Sequence, residues 1–263
     1  MADFIYVHID NVSNAVLTQG FSIADFHQAI IHRPKNLLLL DPSNELGEYE
    51  AHTAMKTIRG SDAVDHYFQT ASKKRITETN KWIDFTDIMM LKELTPTEIS
   101  ELLYFGHMKT HLHSPFFYKL QNNFAYFDLQ DGLARVYYRY LDEFYRVLAQ
   151  KITHLVTTIL NTRRSLFQKN KPVDPLPLNI VKKLSDFMKE GLVFSFKQTE
   201  FQNKKYKIPL FLVEDTHIRM GNPTFKDDAL IGYLTYYSSK KTWDLDVNKK
   251  NLDFWTWSNI PLS

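Results

Sequence analysis

Residues 132–167 read GLARVYYRYLDEFYRVLAQKITHLVTTILNTRRSLF, and how this stretch folds decides how the rest of the chain is arranged. After Gly132 it contains neither proline nor glycine, and apolar residues recur at 133, 137, 141, 144, 148, 152, 155, 159 and 166. Steps of three, four and seven trace one face of a 3.6-residue period. They predict a helix over about 132–167, roughly 50 Å long if straight. Val136, Tyr140, Val147 and Val156 widen the apolar stripe. Such a helix is expected to be covered over much of its circumference, by the rest of the fold or by another subunit.

Upstream, Phe4–Ile9 and Asn36–Asp41 are rich in β-branched and aliphatic residues and read as strands, the second closed by Pro42. Between them Ser22 precedes Ile23, Phe26, His27, Ile30 and Ile31, a helical spacing with its own N-cap. This is a β-α-β opening, and if the strands pair in parallel the helix is their crossover. Residues 45–94 are less legible. Thr95-Pro96-Thr97-Glu98 is a capping box with proline at the first helical position, so a helix starts there and ends before Pro115. Residues 116–129 form two alternating aromatic runs around Asn122-Asn123 and predict a β-hairpin.

Downstream, KNKPVDPLP is the linker candidate, Leu178–Glu190 reads as a helix stopped by Gly191, and Leu192–Phe196, Lys205–Val213, Leu230–Tyr237 and Phe254–Trp257 read as strands, with a sheet edge near Pro209. The fold class expected is α+β: a β-α-β opening, a central helical region with one long helix, and a mostly antiparallel C-terminal sheet. Two regions, 1–168 and 179–263, joined by 169–178, describe the organisation, unless the chain forms one continuous domain.

The chain has 263 residues, 44% hydrophobic and 24% charged, which is ordinary for a globular protein with a sizeable core. It has no cysteine, which removes disulfides, thiolate nucleophiles, thiolate zinc sites and iron–sulfur clusters. Its two closest glycines, Gly221 and Gly232, are eleven residues apart. Phosphate-cradling loops need glycines within a few residues of one another, so the P-loop, the dinucleotide fingerprint, the kinase glycine loop and the serine-hydrolase elbow are all absent. Apolar runs such as Leu37–Leu40 fall far short of the roughly 20 residues that span a bilayer. No membrane contact is expected. The opening MADFIYVHID has no basic region before an apolar stretch, so the expected location is the cytoplasm.

Charge is asymmetric. Residues 1–131 hold 11 basic and 17 acidic side chains, and residues 132–263 hold 21 and 13. Clusters at Arg163, Arg164, Lys169 and Lys171, at Lys182 and Lys183, at Lys204, Lys205 and Lys207, at Lys240 and Lys241, and at Lys249 and Lys250 are candidate nucleic-acid contacts. Tyr206, Tyr236, Tyr237 and Trp243 lie among them as a stacking surface would require. Helix-end dipoles and soluble hairpin tips account for the same lysines without a ligand.

His107 and His111, four apart on one helical face, with His113 just beyond, are the candidate metal ligands. Apart from a divalent transition metal held there, no cofactor is expected. The spacing lacks the glutamate that makes a zinc-hydrolase helix specific, and histidines near a helix C-terminus need no metal. Carboxylate pairs such as Asp84 with Asp87 offer acid–base chemistry, or ordinary caps. In the long helix, Arg135, Arg139, Asp142, Glu143 and Arg146 are spaced for ion pairs on a solvated face. The leading functional expectation is a binding or assembly protein acting through protein–protein contacts, as a homo-oligomer or with a protein partner. A metal-assisted hydrolase and a nucleic-acid-associated factor are the alternatives.

Overall fold

The structure is a computed structural model that describes residues 3–41, 44–73, 80–107, 115–129, 132–162, 172–219, 225 and 227–248. In chain order the first elements are β1 (Phe4–Asp10), β2 (Ala15–Gln19), α1 (Ile23–Ala29), β3 (Asn36–Leu39), β4 (Glu48–Glu50), β5 (Met55–Arg59), α2 (Ser61–Lys73) and β6 (Lys81–Phe85). There follow α3 (Ile88–Lys92), α4 (Pro96–His107), β7 (Phe124–Asp128), β8 (Leu133–Tyr138) and α5 (Leu141–Thr162). The last are α6 (Leu178–Lys182), α7 (Ser185–Lys189), β9 (Leu192–Ser195), β10 (Glu200–Gln202), β11 (Lys205–Leu212), α8 (Asp215–Arg219), β12 (Leu230–Tyr237) and β13 (Thr242–Val247). Helices and antiparallel strands in these proportions make the fold α+β. Among the described residues no helix is long and apolar enough to cross a membrane.

The chain forms two compact units. The first comprises residues 1–9, 18–21 and 145–263, and the second 10–17 and 22–144. In the second unit the strands run β2-β8-β7-β6-β3-β5-β4. Because strand side chains alternate faces, each strand supplies two cores. On one face Phe26 of α1 and Phe68 of α2 meet Trp82, Phe124, Tyr126 and Tyr138 edge-on or tilted, with ring centroids 5.1–6.3 Å apart. On the other, Leu91, Leu94, Leu102 and Phe105 from α3, α4 and the turn between them pack with Leu38, Ile83, Phe85, Ala125, Phe127 and Tyr137. The N-cap expected at Ser22 and the capping box expected at Thr95 are both made, the first also as a capping box. Ser22 and Asp25 exchange backbone bonds at α1, and Thr95 and Glu98 do so at α4.

In the first unit the order is β13-β12-β11-β9-β1, with β10 also on β11. Pro209 is therefore not at an edge. It lies in a central strand, opposite Tyr233 of β12, where the pairing of β11 changes from β10 (Lys205–Lys207) to β9 (Leu210–Leu212), so its missing N–H falls in a gap between partners.

Four further sequence expectations need correction. The helix expected over 132–167 is α5, Leu141–Thr162, 22 residues and about 33 Å. Residues 133–138 instead form β8, which pairs with β7 from Phe124↔Tyr138 to Asp128↔Ala134. Val136, Tyr137 and Tyr138 suit a strand buried on both faces, and a spacing of four between 133 and 137 does not distinguish the two states over so short a run. Residues 163–167 lie outside the described residues.

The hairpin expected over 116–129, with its turn at Asn122-Asn123, does not form: residues 118–121 turn, and only the second aromatic run becomes a strand, β7, whose hairpin partner is β8 beyond that range. The β-α-β opening has its strands and helix but no parallel pairing, since β1 pairs antiparallel with β9 and β3 lies between β5 and β6. The helix expected at 178–190 is broken into α6 and α7, and Gly191, at φ +89°, ends it as expected. The strand expected at Phe254–Trp257 lies outside the described residues.

Candidate functional site

Around one end of the second unit's sheet, where β8 stops and β7 starts, several loops converge. Tyr138 N–H donates to Asn14 O at 3.0 Å, and Arg139 N–H donates to Asn123 O at 2.8 Å. Four residues further on, in the first turn of α5, stands Glu143, where the helix dipole favours a carboxylate. Its side chain is only 3% exposed and accepts the N–H of Ile31 at 2.7 Å, the N–H of His32 at 3.2 Å and His32 Nδ1 at 2.5 Å. Pro34 keeps the segment after α1 from continuing as helix, and the buried carboxylate supplies the acceptors that its amides need.

The pinned loop presents side chains outward. Ile31 is 58% exposed, and the His32 ring lies 5.1 Å from that of Tyr140, itself 51% exposed. On the other side of the strand end, Arg139 donates through Nε to Asn122 O at 2.7 Å and lays its guanidinium 5.2 Å over Phe116. The buried Asn122 side chain ties the turn by accepting from Phe117 N–H and donating to Pro115 O and Phe124 O. Tyr118 stands on that turn at 92% exposure. Val12, 88% exposed, tops the β1–β2 turn, where the Asp10 carboxylate accepts from Val12 N–H and Ser13 Oγ. Four large apolar side chains, each more than half exposed, thus surround one strand end on loops held by side-chain-to-backbone bonds. This geometry suits contact with another surface.

The first unit holds a second polar cluster. Tyr6 and His8 project from the same face of β1, and both bond to Asp215 at the start of α8. Tyr6 Oη donates to Asp215 Oδ1, and His8 Nδ1 lies 2.6 Å from the same oxygen. The Asp215 bond raises the His8 pKa above its ordinary value against the opposing effect of burial, with help from the Lys189 carbonyl and Glu190. Burial pushes the Asp215 carboxyl up, but bonds from His8 and Tyr6, the imidazolium charge and Arg219 outweigh it and hold the carboxyl below its usual range. Burial first, then Asp215, push the Tyr6 phenol far upward.

The pair therefore stabilises the fold most between about pH 4 and 6.5. The histidine contribution is complete below its unfolded value and is lost as pH rises through the raised folded value. The aspartate contribution is complete above its unfolded value and is lost as pH falls through the lowered one. In urea titrations, the advantage of the wild type over His8→Gln is expected to shrink from pH 5.5 to pH 8.5. An equal advantage at both would show that His8 is not held charged.

The candidates from the sequence are placed unevenly. His107 closes α4 by its backbone, while its side chain, His111 and His113 lie outside the described residues. Among the described residues no group of three or more His, Asp or Glu could hold a metal. Arg163 and Arg164 also lie outside. Lys204, Lys205 and Lys207 sit on the β10–β11 hairpin. Asp84 and Asp87 do not form a pair: Asp84 accepts the N–H groups of Asn123 and Phe124, burial pushing its pKa up to about 7, and Asp87 caps α3.

Glu143, expected on a solvated helix face, is buried instead. Its signal in the sequence is an acidic residue in a helix first turn, which does not reveal burial beneath a loop 111 residues away. The signal for Ile31 is an apolar residue between a helix and a proline. No family model, curated protein or solved structure was found to match this chain.

Proposed function

We propose that the protein is an assembly protein that pairs with a second copy of itself through the surface formed by Val12, Ile31, Tyr118 and Tyr140. The observation that supports this reading is the gathering of four exposed apolar side chains on backbone that is already fixed, so that little conformational freedom is lost on contact. Tyrosine, arginine and large aliphatic side chains are the usual anchors of interface cores. The surface also carries both signs of charge, with Arg33 3.8 Å from Asp65, which is compatible with a two-fold self-complementary contact.

Ile31→Asp and Tyr140→Ser are each expected to weaken self-association at least about tenfold, about 1.4 kcal/mol or more. Tyr49→Ser is the control, because Tyr49 is more exposed than either but stands on the edge strand β4. Light scattering across a dilution series reads the difference. Loss of association in Tyr49→Ser but not in Ile31→Asp would place the contact elsewhere, and a specific heterologous protein bound at Ile31 by a monomeric chain would replace the second copy with a different partner.

A further inference from the structure

In the first unit two hairpin turns meet at one end of the sheet. The β10–β11 turn consists of Asn203 and Lys204, both at positive φ, and the β12–β13 turn runs from Ser238 to Lys241. Ser238 bonds the Lys204 carbonyl through both its N–H (2.9 Å) and its Oγ (3.0 Å), locking the turns together. Lys204, Lys205, Lys240 and Lys241 are thereby gathered at one tip, with Lys207 one step behind. No acidic residue occurs within 201–207 or 236–243. The nearest on these strands, Glu200 opposite Lys207 and Asp244 opposite Thr235, stand on the same face but at the level of Lys207, behind the four lysines of the tip.

The aromatic residues divide by face. Tyr206, Tyr236 and Trp243 are buried, and the Trp243 indole donates to the Asp174 carbonyl. Tyr233 and Tyr237 share the open face with the lysines, but their rings are engaged: Lys205 lies 5.3 Å and Lys240 6.0 Å from the Tyr237 centroid, and Lys207 5.3 Å from that of Tyr233. A ring that holds an ammonium group is not a platform for a base, so the surface offers positioned point charges instead of stacking. A shallow hollow lined by Gln202, Asn203, Lys205, Lys207 and Glu200 adds amide groups beside two of the lysines.

We infer that this lysine-tipped sheet end contacts the phosphate backbone of nucleic acid, without reading its bases. It is independent of the self-association surface, which belongs to the other unit. With about four phosphates neutralised, affinity for a single strand falls about fifty-fold between about 50 and 200 mM salt. Oligothymidine and oligoadenosine bind within about twofold of each other, because no base is stacked.

The test is fluorescence anisotropy with labelled oligothymidine and the full chain. Changing Lys204, Lys205, Lys240 and Lys241 together to glutamine is expected to weaken binding at least about tenfold and to flatten the salt dependence, whereas changing the same four to arginine preserves both. The inference is overturned by absence of binding at about 50 mM salt, by a glutamine variant that binds as the wild type does, or by loss in the arginine variant with its circular dichroism intact. Displacement of the oligonucleotide by polyglutamate at equal charge concentration would assign the surface to an acidic protein instead.

Discussion

Gly191→Ala is expected to destabilise the protein by about 4 kcal/mol, while Gly60→Ala, at almost the same backbone angle, costs only about 1–2 kcal/mol. Both glycines lie in the left-handed region, at φ +89° and +86°, where an L side chain is strained by roughly the smaller amount. They differ in what surrounds them. A Cβ on Gly60 meets nothing within 4 Å, whereas one on Gly191 runs into the Val213 carbonyl oxygen and comes within 2.9 Å of Tyr6 Oη.

Val213 N–H donates to Gly191 O at 2.9 Å, so backbone must move to relieve the first clash, and Tyr6 can yield only by leaving Asp215. The substitution therefore disturbs the Tyr6–His8–Asp215 cluster as well as the turn. Urea unfolding of the two variants at pH 6 checks the contrast. Equal losses would mean that the space around Gly191 is not as tight as described.

Glu143→Ala is expected to cost about 3 kcal/mol, since it leaves two amides and a ring nitrogen without their shared acceptor and opens a gap under the loop. Glu143→Gln retains an acceptor for one of them and should fall between. Two further readouts separate this from a general loss of stability. Hydrogen exchange at Ile31 and His32 should accelerate in Glu143→Ala more than exchange in α4 does, and self-association should weaken although no surface apolar group has been removed. A change within about 0.5 kcal/mol, with exchange at Ile31 unaltered, would mean that the carboxylate does not hold the loop.

What could be read from the sequence was local. The Ser22 cap, the Thr95 box, the stop at Gly191 and the strands at Phe4, Lys205 and Leu230 depend on neighbours a few residues away, and each falls within about one residue of its expected place. Pairings that depend on distant segments were not legible. Phe4 lies opposite Ser195, and no periodicity within β1 specifies that partner.

The 132–140 error has the same origin. Its apolar residues fit a helical stripe, but β7 offers a strand partner on which Tyr137 and Tyr138 bury opposite faces, and tertiary burial outweighs propensity. The candidate surface was hidden for a related reason. Ile31, Tyr118 and Tyr140 are far apart in sequence, and their exposure follows from loops tied by Glu143 and Asn122, whose burial depends on elements elsewhere in the unit. The lysines were easier to find, because hairpin tips are local, yet which tyrosines shared their face required the strand register.

On the proposed reading, the fixed, exposed apolar groups at the end of the second unit's sheet meet a second copy of the chain. Sedimentation equilibrium of the full chain, from submicromolar to high micromolar concentration, tests it most directly. The expected mass climbs from 31.0 kDa toward twice that value in the wild type and stays at 31.0 kDa in Ile31→Asp. A wild-type mass fixed at 31.0 kDa across the range, or an Ile31→Asp variant that doubles as readily, would contradict it.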